Sequence, residues 1–181
     1  LTFNYTVANT HASTDLAYKA TTSLTLPSGT GSTIRSLIAN DATLTLATPT
    51  ESNSLDGAKA LYIDGVRPAS SSTAATAGTR TITITMSEAV EGTLANATDF
   101  SVLVNSAANV VTGVAVSGST VTLTVTDIIP NSATVTWTYA QDADNLITGT
   151  VSGTNAANSL LSVPAAQDVT LTNDTSAPTV V

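Results

Sequence analysis

The stretch that most constrains the fold spans residues 118–139. It reads Gly118-Ser119-Thr120-Val121-Thr122-Leu123-Thr124-Val125-Thr126, then a seven-residue loop, then Thr134-Val135-Thr136-Trp137-Thr138-Tyr139. Apolar and polar residues alternate strictly through both arms. Side chains on a strand point to opposite faces in turn, so each arm is a strand buried on one side. Val121, Leu123 and Val125 share one face of the first arm. Val135, Trp137 and Tyr139 share one face of the second. The remaining face is nearly all Thr, a β-branched residue suited to a pleated surface. Trp137, the single tryptophan, is the predicted centre of a core shared with Ile82, Ile84, Leu123 and Val135.

The same grammar recurs along the chain. It predicts strands over residues 1–7, 21–26, 42–47, 58–63, 79–86, 99–104, 110–116 and 168–172. Residues 48–57 read as loop, residues 69–78 as a connection ending in a weakly apolar edge, and residues 141–164 as a long polar loop. No sustained helical period is present. Short strands separated by frequent turn signals point to a β-sandwich or barrel.

An internal repeat sets the domain layout. Tyr62-Ile63-Asp64-Gly65-Val66-Arg67-Pro68 and Leu171-Thr172-Asn173-Asp174-Thr175-Ser176-Ala177-Pro178 each close a strand with Asp, three residues, then Pro. The two aspartates are 110 positions apart, the length of one immunoglobulin-type sandwich. The expected fold is therefore all-β, with tandem immunoglobulin-like β-sandwich modules, the first incomplete. Residues 1–67 are the C-terminal part of one module, residues 68–175 a complete module, and residues 176–181 the start of a following one. Because residues 1–7 open within a strand pattern, the missing strands are expected upstream or from a neighbouring subunit.

Composition narrows the function. Thirteen acidic residues face five basic ones, for a net charge of −8. Without a cluster of Lys or Arg there is no face to displace counterions, so nucleic acid is excluded as a partner. An anionic membrane surface is disfavoured on the same ground, and no stretch has the length and apolarity of a membrane-spanning helix. There is no Cys, which excludes disulfides and thiolate chemistry. His11, the single histidine, lies in a polar crossing without a nucleophile signature, and no carboxylate pair is accompanied by an aromatic sugar platform. The chain reads as a non-enzyme.

Calcium is the ligand these residues suit best. Ca²⁺ takes six to eight oxygens from carboxylates, amides and backbone carbonyls. Gln141-Asp142-Ala143-Asp144-Asn145 gathers such oxygens in the loop after the Trp137 strand, making Asp142, Asp144 and Asn145 candidate ligands. Asp64 and Asp174, at the two repeat junctions, are further candidates for an ion that stiffens a hinge. The same residue types also form ordinary turns.

Several runs resemble known repeats. Thr81-Ile82-Thr83-Ile84-Thr85-Met86-Ser87-Glu88-Ala89-Val90, Asp99-Phe100-Ser101-Val102, Val114-Ala115-Val116-Ser117-Gly118-Ser119-Thr120-Val121-Thr122-Leu123 and Thr134-Val135-Thr136-Trp137-Thr138-Tyr139 resemble the cyanobacterial long-protein repeat. That repeat is an immunoglobulin-like sandwich of giant bacterial surface and motility proteins. Asn40-Asp41-Ala42-Thr43-Leu44-Thr45-Leu46 and Lys59-Ala60-Leu61-Tyr62-Ile63-Asp64-Gly65-Val66-Arg67-Pro68 are similar to the C-terminal part of a bacterial adhesin immunoglobulin-like repeat. In that repeat an acidic Asp-x-x-Gly-Asn turn precedes the Asn-Asp-Ala-Thr-Leu run. Here Ser36-Leu37-Ile38-Ala39-Asn40 stands in its place, without the Asp and Gly. The resemblance implies an extracellular structural repeat of an adhesin stalk, surface layer or filament, with neighbouring repeats or subunits and cell-surface polysaccharide as partners. The alternative is a carbohydrate-binding module attached to a larger enzyme.

Overall fold

The computed structural model describes residues 4–8, 10–26, 33–91, 96–142, 146–150 and 159–176. The chain divides into two compact units, Leu1–Gly65 and Val66–Val181.

The second unit is an all-β sandwich. Its strands are β3 (Ser70–Thr76), β4 (Thr81–Met86), β5 (Val90–Glu91), β6 (Phe100–Val104), β7 (Ala107–Ala108), β8 (Val111–Ser117), β9 (Thr120–Val125), β10 (Val135–Tyr139), β11 (Thr148–Gly149), β12 (Val163–Asp168) and β13 (Thr170–Thr172). One sheet has the order β13-β3-β4-β9-β8 and the other β12-β10-β6-β7, while β11 and β5 pair apart from both. Leaving out the two-residue β5, β7 and β11, and counting β12 and β13 as one strand that crosses between the sheets, the first sheet joins the first, second, fifth and fourth strands, and the second joins the third, sixth and seventh. That is the strand order of an immunoglobulin-like sandwich.

Alternation decides which face of each strand is buried. Ile82, Ile84 and Met86 on β4, and Val121, Leu123 and Val125 on β9, face Phe100 and Val102 on β6 and Val135, Trp137 and Tyr139 on β10 in one core. The phenylalanine ring sits 4.9 Å from Tyr139 and 6.3 Å from Trp137, tilted in both cases. The opposite face of the first sheet carries the cross-strand pairs Thr81–Thr124, Thr83–Thr122 and Thr85–Thr120, the β-branched neighbours that a solvated pleated face favours. Two tight turns fix the hairpin registers. Gly118, at φ +55°, is the first turn residue between paired Ser117 and Thr120, as a type II′ hairpin requires. Asn105 and Ser106 both have positive φ between paired Val104 and Ala107, which makes a type I′ turn.

Two strands of this sandwich were invisible to alternation. Residues 69–78 contain β3, a full strand between β13 and β4 with no large apolar side chain; only Ala75 in it is buried. Backbone pairing to β4 holds it. Residues 141–164, expected as loop, include β11 and the start of β12. Ile147 and Leu160 from this segment are buried in the core. Pro164 is tolerated in β12 because that strand lies at a sheet edge, where a missing N–H breaks no ladder.

The first unit departs more from expectation. It has β1 (Ala12–Ser13) paired with β2 (Ile63–Asp64) and one helical turn, α1 (Leu55–Ala58). The runs at 21–26 and 42–47 form no ladder, and of the run at 58–63 only Ile63 does. They meet their neighbours through single bonds such as Leu46 N–H to Thr21 C=O (2.8 Å) and Leu16 N–H to Leu61 C=O (2.9 Å). Alternation becomes a strand only where a second layer covers the apolar face. Among the described residues of this unit no large aliphatic side chain is buried; Leu37 and Ile38 are fully or largely exposed. Tyr5, expected inward, is half exposed, and its hydroxyl lies 2.8 Å from His11 Nδ1. The helical turn is local chemistry: Ser54 Oγ accepts from Gly57 N–H (3.0 Å), and the Asp56 carboxylate accepts from Thr50 N–H (2.8 Å).

Replacing Trp137 with Ala is expected to cost about 3–5 kcal/mol, the range for deleting a large aromatic from a packed core. A shift in the urea midpoint checks this; an unchanged midpoint would remove Trp137 from the centre of the fold.

Candidate functional site

Three of the five candidate ligands, Asp64, Asp142 and Asp174, fall among the described residues. Asp64 lies in β2, paired with Ala12 in the first unit. Asp174 follows β13 in the second. Asp142 lies just beyond β10, and Asp144 and Asn145 fall outside the described residues. Among the described residues, no group of three or more Asp, Glu, His or Cys side chains stands close enough to hold a metal ion. The two junction aspartates, equivalent by sequence, thus have different surroundings.

Asp174 sits in a tied corner at the C-terminal end of β13. Its Oδ1 accepts from Ser176 N–H at 2.8 Å. Hydrogen bonds from the Ser176 backbone and side chain hold its carboxyl below the usual carboxylate range. Asn131, in the loop before β10, pairs with the Asp174 backbone: its Oδ1 accepts from Asp174 N–H (2.8 Å) and its Nδ2 donates to Asp174 C=O (3.1 Å). Asn173 Oδ1 returns the gesture by accepting from Ser132 N–H (2.8 Å). Gly78, at φ +81°, passes beside the carboxylate, with its Cβ position 3.4 Å from Oδ2.

The same device recurs twice nearby in the chain. Buried Asn109 accepts from Asp127 N–H (2.9 Å) and donates to Asp127 C=O (3.0 Å). Asn105 Oδ1 accepts from Thr134 N–H at 2.9 Å. A carboxamide offers one donor and one acceptor side by side, so it can stand in for a neighbouring strand. These asparagines satisfy loop backbone that no ladder reaches. The turn signal in the sequence marked their places without revealing their long-range partners.

The other end of β10 holds Asp142. Burial, then the charge of Asp99, raise the Tyr139 phenol to about 12, with Asp142 adding to the effect. Asp99 is buried and closes the capping box of a 3-10 turn (Ala97–Asp99): its carboxylate accepts from Asn96 N–H, and Asn96 Oδ1 accepts from Thr98 N–H. The Asn-x-x-Asp spacing carries that signal in the sequence. Near it, buried Ser159 accepts from Gln141 Nε2 at 2.5 Å, and Arg67 donates to the Ser159 carbonyl at 3.3 Å.

A polar groove of about 330 Å³ opens along the side of the sandwich. It lies between residues 70–73 of β3 and Gln167, Asp168 and Thr170, where the chain leaves β12 for β13. Alternation did not mark it: residues 70–73 read as a connection, and only the strand at 168–172 was expected beside it.

Residues 68–144 match the sequence family described as "Putative flagellar system-associated repeat". A search of curated proteins gave no match. Two solved structures are similar. One is the N-terminal part of the bacterial S-layer protein SbsC, at 19% identity and a TM-score of 0.45, covering 58% of this chain and 23% of that one. The other is the S-layer protein rSbsC(31-844), at 18% identity and a TM-score of 0.46, covering 59% of this chain and 14% of that one. The chain thus spans less than a quarter of either relative.

The depressed Asp174 carboxyl has a defined pH signature. Its stabilising effect is present above the unfolded value of about 4 and is lost as pH falls through the lower folded value. The stability gap between wild type and Asp174→Asn, read from urea midpoints, should therefore narrow at acid pH. A gap that stays constant well below pH ~4 would show that the Ser176 contacts do not favour the carboxylate.

Proposed function

We propose that the chain is a structural repeat region of a large secreted cell-surface protein, without catalytic activity of its own. The observation that carries this reading is the match of residues 68–144, covering β3 to β10, to a repeat family associated with a flagellar system. The sandwich suits the role. Its core is self-contained within Val66–Val181, and asparagine side chains tie its loops. The layout of residues 1–67, 68–175 and 176–181 as successive modules belongs to the same proposal, as does self-association with neighbouring repeats or subunits. An adhesin stalk, a surface layer or a filament all fit such a unit. Antibodies against the second unit should label intact, unpermeabilised cells, and protease added outside should remove the epitope. Labelling only after lysis would overturn the reading.

A carbohydrate-binding module is a second reading, favoured by the groove with its Ser, Thr, Gln and Asp lining. Retention of the chain on cell-surface polysaccharide, lost in Asp168→Ala, would support it.

Calcium is proposed at Asp142 with Asp144 and Asn145, and Asp64 and Asp174 are proposed to stiffen the junctions. An ion that binds only the folded state raises stability by mass action. Millimolar Ca²⁺ should raise the melting temperature above that in chelator, and Asp142→Ala should abolish the rise. An unchanged melting temperature in the parent chain would reduce the loop to a turn.

A further inference from the structure

We infer that the second unit carries tension along the chain through a shear clamp between its first and last strands. The inference rests on the proposed place of the unit within a string of repeats, which would load it from both sides. β3 is the first strand of the unit and β13 the last, and they are hydrogen-bonded neighbours running parallel. Thr170, Leu171 and Thr172 lie opposite Ala74, Ala75 and Thr76.

Direction matters here. Because the two strands run the same way, the chain enters β3 at one end of the ladder and leaves β13 at the other. A pull on the flanking segments drags β3 and β13 past each other along their own axes. The ladder bonds lie across that axis, so they are loaded together rather than one at a time. An antiparallel pair of terminal strands would leave from the same end and open like a zip. β3 is also paired with β4 from Ser70 to Ala75, so the strand that takes the load is held on both sides at Ala74 and Ala75.

Three further contacts lie at the exit. Ala77 N–H donates to Thr172 C=O at 2.8 Å, extending the ladder by one bond. Asn131 and Asn173 then hold the backbone just past β13, through the bonds to Asp174 and Ser132 described above. The exit is thus tied to the loop before β10 before force reaches β13. On the other side, Val169 N–H donates to Val135 C=O at 2.9 Å, anchoring the start of β13 to the opposite sheet. The clamp sits between two anchors and not at a free end.

The test is single-molecule pulling on the whole chain held by its two ends. Unfolding of the second unit is recognised by a length gain of roughly 340 Å, from about 3.4 Å per residue less the folded span. In the parallel pattern the bond from Ala77 to Thr172 C=O places the Thr172 N–H against Ala75 C=O, so Thr172→Pro removes a clamp donor. Val114→Ala, on β8 and outside the load path, serves as the comparison, at a urea concentration that equalises the two stabilities. Thr172→Pro should lose most of the unfolding force while Val114→Ala keeps it. Equal losses would show that force follows stability and not geometry, and would overturn the clamp. Should Thr172→Pro fail to fold, the direction of pulling decides, since the chain has no cysteine of its own to compete with added handles. Handles on Thr81→Cys and Thr124→Cys, paired at one end of antiparallel β4 and β9, load that ladder bond by bond and should unfold the unit at a much lower force than end-to-end pulling; an equal force would overturn the clamp. None of these outcomes depends on where the protein resides in the cell, so failure of the clamp and failure of the surface-repeat reading are separable.

Discussion

The sandwich depends on one bond across its interior. Trp137 is buried on β10, and its Nε1–H donates to Thr73 Oγ1 on β3 at 3.1 Å. A buried indole N–H without a partner would cost about 1–3 kcal/mol. Thr73 supplies that partner from the one strand that has almost nothing apolar to bury. The bond therefore does two jobs. It makes a large polar-edged aromatic affordable at the centre of the core, and it fixes the apolar-poor β3 to the opposite sheet. β13 then has a strand to pair with, and the seventh strand can cross from one sheet to the other at Val169.

The inner layers were legible because they follow the period of a half-buried strand. Ile82, Ile84, Val121, Leu123, Val135 and Trp137 all lie where alternation places them. The margins were not legible. β3 reads Ser-Ser-Ser-Thr-Ala-Ala-Thr and β12 reads Val-Pro-Ala-Ala-Gln-Asp. These two strands, next to or at a sheet margin, touch the core at few positions, so backbone pairing rather than side-chain pattern defines them. In the first unit the error ran the other way: alternating runs at 21–26 and 42–47 lack a covering layer among the described residues. Periodicity reports which face would be buried. It does not report whether anything is there to bury it.

The candidate site was legible only in part. Sequence marked Asp174 as junction chemistry and the residues around Asn131 only as a loop. The structure adds that Asn131 holds the Asp174 backbone on both of its polar groups. Asp99 went unnoticed because it begins a strand pattern, yet its carboxylate caps a turn and raises the Tyr139 phenol. Polar residues at both ends of the sandwich are thus engaged in ordering backbone. Such bonds satisfy loop backbone that no ladder reaches and resist opening of the unit at its loops.

The most direct measurement is a double-mutant cycle on the central bond, with Trp137→Phe and Thr73→Val made singly and together and stability read from urea unfolding. Both replacements keep most of the apolar volume and remove one hydrogen-bonding group each. The account predicts a coupling of about 1 kcal/mol, the net worth of a buried hydrogen bond. Strict additivity, to within about 0.3 kcal/mol, would contradict it and leave the β3 side of Trp137 held by packing alone.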